Sequence, residues 1–77
     1  MKDAKLLRNL FIFFSRMLEK FEQKESQGYT GWDIHLSVPD DELRSRLISN
    51  LNRLDYIDVA NIAMILYFRL LNAISKG

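Results

Sequence analysis

The chain has 77 residues, 48% hydrophobic and 27% charged, a composition typical of one small folded domain and not of a disordered segment. It has no cysteine and one histidine. This excludes a disulfide framework and a cysteine-ligated zinc site, and it disfavours a Ser-His-Asp triad. Eleven basic against ten acidic residues leave a net charge of +1, so no strong field favours nucleic acid or an anionic membrane as a partner. We expect a single helical domain over residues 1–77.

Apolar residues at spacings of three and four predict a first helix over residues 3–25. Phenylalanines widen its apolar stripe beyond what one neighbouring helix can cover: Leu6, Leu7, Leu10, Phe11, Phe13, Phe14, Met17, Leu18 and Phe21. Surplus apolar surface in a small domain usually lies in a subunit interface. The pattern therefore predicts a homo-oligomer, a dimer or a larger assembly.

The segment 26–39 holds the single proline, tryptophan and histidine and two of the three glycines. Turn-forming residues mixed with apolar ones predict a structured loop. Within it, Tyr29 and Trp32 are candidate binding residues for a ligand or partner, because an aromatic face can stack on a ring or a protein surface. The alternative is that Trp32 covers the core between two helices.

A second helix is predicted over residues 40–53, where Asp40, Asp41 and Glu42 place negative charge at the positive end of the helix dipole. A leucine seam at Leu43, Leu47, Leu51 and Leu54 would pack inward, leaving Asn50 and the arginines Arg44, Arg46 and Arg53 largely solvated. Those arginines are the basis of one alternative function, a nucleic-acid-binding regulator, which the near-neutral charge disfavours.

The third helix is predicted from Asp55 to Ile74, and from Tyr56 to Phe68 it is apolar except at Asp58 and Asn61. A helix that is apolar around most of its circumference is expected to be central and covered on more than one side. At 100° per residue its polar residues share one narrow stripe: Asp58, Asn61, Arg69 and Asn72.

Three residues of this stripe, Asp58, Asn61 and Arg69, are further candidate binding residues. Asp58 has a second interpretation, since it lies three residues after the predicted N-cap Asp55, where a capping-box acid belongs. The polar interruptions make the helix too broken for a membrane span, so we expect a cytoplasmic protein without a membrane partner. Together the elements predict an all-α, three-helix up-and-down unit with a structured Gly-Trp loop between helices 1 and 2, assembling into a helical-bundle oligomer.

Two segments carry a resemblance to a known family: Gly31-Trp32, and the run from Asp58 to Met64, which reads Asp-Val-Ala-Asn-Ile-Ala-Met. With the leucine-rich helix between them, residues 28–70 resemble the small all-α nucleotide pyrophosphohydrolases of the MazG-like kind, which are common in bacteria and their phages. In that family, pairs of acids one helical turn apart on two facing helices hold Mg²⁺, which bridges the nucleotide phosphates.

The chain departs from this pattern in its second helix. The third helix keeps Asp55 and Asp58, but Leu47–Arg53 stands where the family would carry its glutamates. Asp58 alone is a weak metal ligand, so the resemblance implies the fold without a catalytic set, and we assign neither catalytic residues nor a cofactor.

We therefore expect a non-catalytic interaction or ligand-binding protein, of a phage type, on a degenerate MazG-like scaffold. It would sequester a nucleotide-like molecule or inhibit a host protein. The alternative is a Mg²⁺-dependent nucleoside triphosphate pyrophosphohydrolase that uses acids from a neighbouring subunit.

Overall fold

The structure is a computed structural model that describes residues 1–28 and 38–76, and all regular structure within these ranges is helical. It contains α1 (Ala4–Ser26), α2 (Asp40–Asn52) and α3 (Tyr56–Lys76). The predicted all-α fold with three helices is thus confirmed, with bounds that differ by at most two residues. Tyr29 and Trp32, and with them most of the predicted loop over 26–39, lie outside the described residues.

Local capping explains where the helices begin and end. The Asp3 carboxylate accepts a hydrogen bond of 3.0 Å from the Leu6 N–H at the start of α1. At the end of α2, the Asp55 N–H donates to the Asn50 carbonyl and the Leu54 N–H donates to the Leu51 carbonyl. These two bonds form a Schellman motif, in which Leu54 adopts the left-handed conformation at φ 62°. The motif stops α2 and turns the chain directly into α3.

The third helix is the central one, as predicted, because it packs closely against both α1 and α2, whereas no Cα atom of α1 lies within 8 Å of one in α2 among the described residues. Asp40, at the start of α2, pairs with Arg69, near the end of α3, so these two helices are antiparallel neighbours. Between α1 and α3, the contacts join Met17 to Asn61 and Lys20 to Asp58.

The contacts between α1 and α3 indicate that these two helices are also antiparallel. Residue numbers along α1 increase from Met17 to Lys20, while those of their partners on α3 decrease from Asn61 to Asp58. In a simple up-and-down bundle these two helices would be parallel. The length of the connection between α1 and α2 is compatible with this difference. The connection of thirteen residues between Ser26 and Asp40 has a reach of roughly 43 Å. It is therefore long enough to return the chain along the length of a helix, about 34 Å for α1.

Burial within one chain is sparse and largely polar. Among the described residues, the buried side chains are Leu43, Asn50, Asn61 and Arg69. The polar stripe of α3 faces the other helices from Asp58 to Arg69, while its last member, Asn72, is exposed. The opposite face carries the exposed residues Tyr56, Ala63, Tyr67, Leu70, Leu71 and Ile74. The expectation that α3 would be covered on almost all sides is therefore not met by a single chain, because α1 and α2 both pack on its polar side.

The leucine seam of α2 is also shorter than predicted. Leu43 is buried and Leu47 half-buried, but Leu51 and Leu54 are exposed. Leu54 leaves the seam because it is the left-handed residue after the helix end. Asn50, expected to be solvated, is buried instead. The seam therefore continues through an asparagine.

One described helix, α3, has a segment long and apolar enough to cross a membrane by length and composition alone, Tyr56–Ser75 with a mean hydropathy of 1.5. This differs from the prediction that its polar residues break the run too often. Only two charged residues, Asp58 and Arg69, fall in this segment, so its average remains apolar. The core helix of a soluble protein has the same properties.

Candidate functional site

A cleft of about 370 Å³ opens where the end of α1 meets α2 and α3. All three helices contribute to it. Its polar lining consists of Lys24, Glu25, Arg46, Asn50, Asp58, Asn61 and Arg69, and its apolar lining consists of Phe21, Val38, Leu43, Ile62, Met64 and Ile65. The three candidate residues predicted on α3 thus line one cavity, because they occupy one face of one helix.

Asp58 contacts the first helix with its side chain. Its Oδ1 lies 3.7 Å from the ammonium of Lys20. The N-terminal cap of α3 is provided by Asp55, whose Oδ1 accepts a hydrogen bond of 3.2 Å from the Asp58 N–H. A capping-box acid would accept from the Asp55 N–H, but that group donates to the Asn50 carbonyl. The carboxylate of Asp58 is thus directed towards α1 and the cleft, and the capping interpretation applies to Asp55.

The charge environment at the helix start lowers the pKa of Asp55. The main cause is the hydrogen bond from the Asp58 N–H, which desolvation opposes. A side-chain interaction with Asp58 and the positive charges of Lys20 and Arg53 lower the pKa further. A lowered pKa means that the ionised carboxylate is stabilised in the fold. The Asp55 cap is therefore strongest when it is charged.

Asn61 is 7% exposed and lies at the crossing of α1 and α3. Its Nδ2 donates to the Met17 carbonyl over 3.4 Å, a long hydrogen bond. Its Oδ1 is buried without a hydrogen-bond partner. A buried carbonyl oxygen without a donor costs about 1–3 kcal/mol. The side chain of Asn61, which lines the cleft, therefore holds an acceptor that the described residues leave without a donor.

Arg69 is a buried cation that ties α3 to the start of α2. Its Nη1 donates to the Val38 carbonyl at 2.7 Å and to the Asp40 carboxylate at 2.8 Å. The side chain of Arg69 is 6% exposed, and that of Asp40 is 41% exposed. Arg69 thus braces the two helices and also forms part of the cleft wall.

Arg44 and Arg46 of α2, and Arg53 directly after it, all interact with residues of α2. Arg44 pairs with Asp41 at 2.9 Å, Arg46 with Glu42, and Arg53 donates to the Asn50 Oδ1 at 2.6 Å. The first two pairs are exposed, and such pairs contribute little to stability. These arginines form local pairs, with Arg46 also lining the cleft.

Among the described residues, the cleft contains two carboxylates, Asp58 and Glu25, and not the two facing pairs of acids that the family resemblance implies for a magnesium ion. Within residues 1–28 and 38–76, no group of three or more His, Cys, Asp or Glu side chains is placed to hold a metal ion. The carboxylate of Asp58 faces the ammonium of Lys20, a cation that competes for the same oxygen. Mg²⁺ usually requires one or two carboxylates together with substrate phosphates and ordered waters.

Sequence reasoning missed Asn50 as part of this site. It lies seven residues after Leu43 and three after Leu47, so the spacing that defines the leucine seam also places Asn50 on the inward face. Its polarity suggested solvent exposure, but its Oδ1 accepts from Arg53 and its backbone carbonyl accepts from Asp55. The periodicity was the signal that could have identified it.

No protein-family model, curated protein or solved structure matches this chain.

Proposed function

We propose that this chain is a non-catalytic helical protein that self-associates and binds a small nucleotide-like molecule, or a host protein, through its cleft. The observation that carries the proposal is the convergence of Asp58, Asn61 and Arg69 on one cavity. Ligand pockets are typically concave and mostly apolar, with a few polar groups that orient the ligand. The cleft combines seven polar and six apolar lining residues, so it is more polar than a typical pocket, and its volume lies near the lower end of the range of small-molecule sites.

The unpartnered Oδ1 of Asn61 supports a ligand that carries a hydrogen-bond donor. Lys24 and Arg46 in the lining would attract an anionic group, while Asp58 and Glu25 limit the excess of positive charge. A nucleotide combines donors on its base with phosphate oxygens, so this mixed lining suits it. The same features would also accept a polar segment of a host protein.

The MazG-like scaffold remains part of this proposal. An all-α fold with a central third helix that carries Asp58 and Asn61 is compatible with it, and the pairing of Asp58 with Lys20 favours binding without metal-dependent turnover. For the pyrophosphohydrolase alternative, no contact among the described residues adds support.

Native mass spectrometry and calorimetry with a panel of nucleoside mono-, di- and triphosphates test the proposal. We expect a bound nucleotide without pyrophosphate release, and loss of binding in Asn61→Leu and Asp58→Asn. The matched control is Asp41→Asn, since Asp41 is an exposed acid of α2 paired with Arg44 outside the cleft.

Nucleotide hydrolysis that depends on Mg²⁺ and is abolished by Asp58→Ala would contradict the non-catalytic assignment. Binding that survives both cleft substitutions would contradict the assignment of the site.

A further inference from the structure

The exposed surface of one chain is much larger than that of a compact monomer of this mass. The accessible area is 6395 Å² for a 9.1 kDa chain. A folded monomer of this mass is expected to expose about 4,900 Å². The excess of about 1,500 Å² per chain corresponds to about 3,000 Å² for two chains, within the range of obligate dimer interfaces. The excess accessible area is therefore large enough to be buried in an interface with a second copy of the chain.

Most of the first helix contributes to this excess. Before Met17, every residue of α1 is exposed, and its half-buried residues are Met17, Lys20 and Phe21 at the crossing with α3. Leu7, Leu10, Phe11 and Phe14 line an open apolar groove on α1 itself. Phe11 is 64% exposed and Phe14 59%. Apolar side chains of this size, adjacent along one helix, mark an interaction surface.

The exposed side chains have the spacing of a helix-pairing seam. Leu7, Phe11, Phe14 and Leu18 follow each other at intervals of four, three and four residues, so they form one stripe on α1. We call these four residues the LFFL stripe. The order Leu-Phe-Phe-Leu reads the same in both directions, so the stripe can pair with itself about a two-fold axis.

Charge and the position of α3 favour an antiparallel pair. The start of α1 carries Lys2, Lys5 and Arg8 against Asp3, and its end carries Glu19, Glu22 and Glu25 against Lys20 and Lys24. A parallel pair would place the basic ends of two helices side by side, and an antiparallel pair places each beside the more acidic end of the other. Antiparallel helix dipoles also attract each other.

The antiparallel arrangement also provides cover for the uncovered half of α1. Each α1 is packed by its own α3 around Met17, Lys20 and Phe21, in its C-terminal half. In the antiparallel pair, the C-terminal half of one α1, which its own α3 packs, lies beside the exposed N-terminal half of the α1 of the other copy. In a parallel pair, the two exposed N-terminal halves would lie together, away from either α3. Burial is therefore distributed along the full length of the interface.

We propose that two copies of this chain form a dimer through the LFFL stripe of α1, with the two helices antiparallel and Phe11 of one copy opposite Phe14 of the other. This inference rests on the self-association in the proposed function and names its surface and orientation. Leu7 of one copy then lies opposite Leu18 of the other.

Charge complementation tests the orientation. Sedimentation equilibrium of the unchanged chain should give twice the mass of 9.1 kDa. Phe11→Glu and Phe14→Lys, each alone, should raise the dimer dissociation constant by about 100-fold, because each places an unpaired charge against an aromatic ring. An equimolar mixture of the two variants should dimerise again, since the new glutamate and lysine face each other only in the antiparallel pair.

Cysteine cross-linking keeps the test valid if a charged variant does not fold, because the natural chain contains no cysteine. A mixture of Phe11→Cys and Phe14→Cys should form a disulfide between the two variants, faster than either variant links to itself. Arg16→Cys, on the opposite side of α1, is the matched control and should not cross-link in the dimer.

Three results would overturn the inference. A monomeric natural chain would refute both this dimer and the self-association in the proposed function. Faster linkage of the Phe11→Cys variant to itself than to the Phe14→Cys variant would refute the antiparallel orientation alone. Dissociation by Tyr67→Glu, on the exposed face of α3, with no effect of the two α1 charge variants, would move the interface to α3.

Discussion

At the scale of single residues, the polar stripe of α3 has two kinds of member. Arg69 is engaged with the Val38 carbonyl and the Asp40 carboxylate. Asn61 keeps an acceptor without a partner. Both were predicted as ligand-binding residues from their position alone. Their contacts distinguish them, since a residue with strong internal contacts contributes to stability whether or not it also binds a ligand.

Replacing Arg69 by leucine should therefore destabilise the fold. The change removes two hydrogen bonds from a charged donor, and we expect a loss of about 3 kcal/mol in the free energy of unfolding. Chemical denaturation followed by circular dichroism measures this loss. Arg44→Leu is the matched control, because its exposed pair with Asp41 should change stability by no more than about 1 kcal/mol. Equal effects of the two substitutions would contradict the bracing role of Arg69.

The Asp55 cap predicts a defined pH dependence. The pKa of Asp55 is lowered in the fold, chiefly by the Asp58 N–H, so its ionised form contributes stability above the unfolded pKa. That contribution is lost as the pH falls through the lowered pKa, in the region below about pH 4. Asp55→Asn retains a capping oxygen but cannot ionise. The stability advantage of the natural chain over this variant, measured from pH 7 to about pH 2.5, should shrink with acid; a constant difference would contradict the assignment.

At the scale of elements, the turn between α2 and α3 places Leu54 in a left-handed backbone conformation, which residues with a side chain adopt at a cost. Leu54 adopts φ 62° and is 69% exposed, so it loses little packing if it is replaced. Glycine adopts the left-handed region without steric cost, whereas other residues lose roughly 1–2 kcal/mol there.

Leu54→Gly should consequently raise the free energy of unfolding by about 1 kcal/mol, as measured by denaturant titration. The matched control is Leu51→Gly, three residues earlier within α2, which should lower it by about 1 kcal/mol or more because glycine is unfavourable inside a helix. A loss of stability in Leu54→Gly would show that the left-handed residue at this turn is not strained.

For α1, the extent of the helix could be predicted from the sequence, but the part of it that packs against another helix could not. The apolar spacing of α1 predicted its extent and its unusually wide stripe, and the structure confirms the helix. Which part of the stripe is covered depends on where α3 crosses it, at Met17 and Phe21. That crossing joins residues more than forty positions apart in the chain, so the local periodicity of the sequence cannot predict it.

At the scale of the whole molecule, the proposed dimer would link folding to association. A folded state stabilised by a second copy becomes more stable as the protein concentration rises. The midpoint of thermal unfolding should therefore increase across a roughly 100-fold rise in concentration, a factor that contributes about 2.7 kcal/mol when the stabilising partner is in excess. Differential scanning calorimetry provides the measurement. A midpoint independent of concentration would indicate a self-sufficient monomer.

The sequence by itself determined the three helices, the N-cap at Asp55 and the single stripe that holds Asp58, Asn61 and Arg69, because each of these depends on residues within a few positions of one another. Only the tertiary structure decided that this stripe faces α1 and α2, that Asn50 joins the cleft and that the apolar face of α3 is exposed. The physical reason is that a helix with two different faces can be packed on either of them. Contacts between distant segments, such as that of Arg69 with Asp40, select the face.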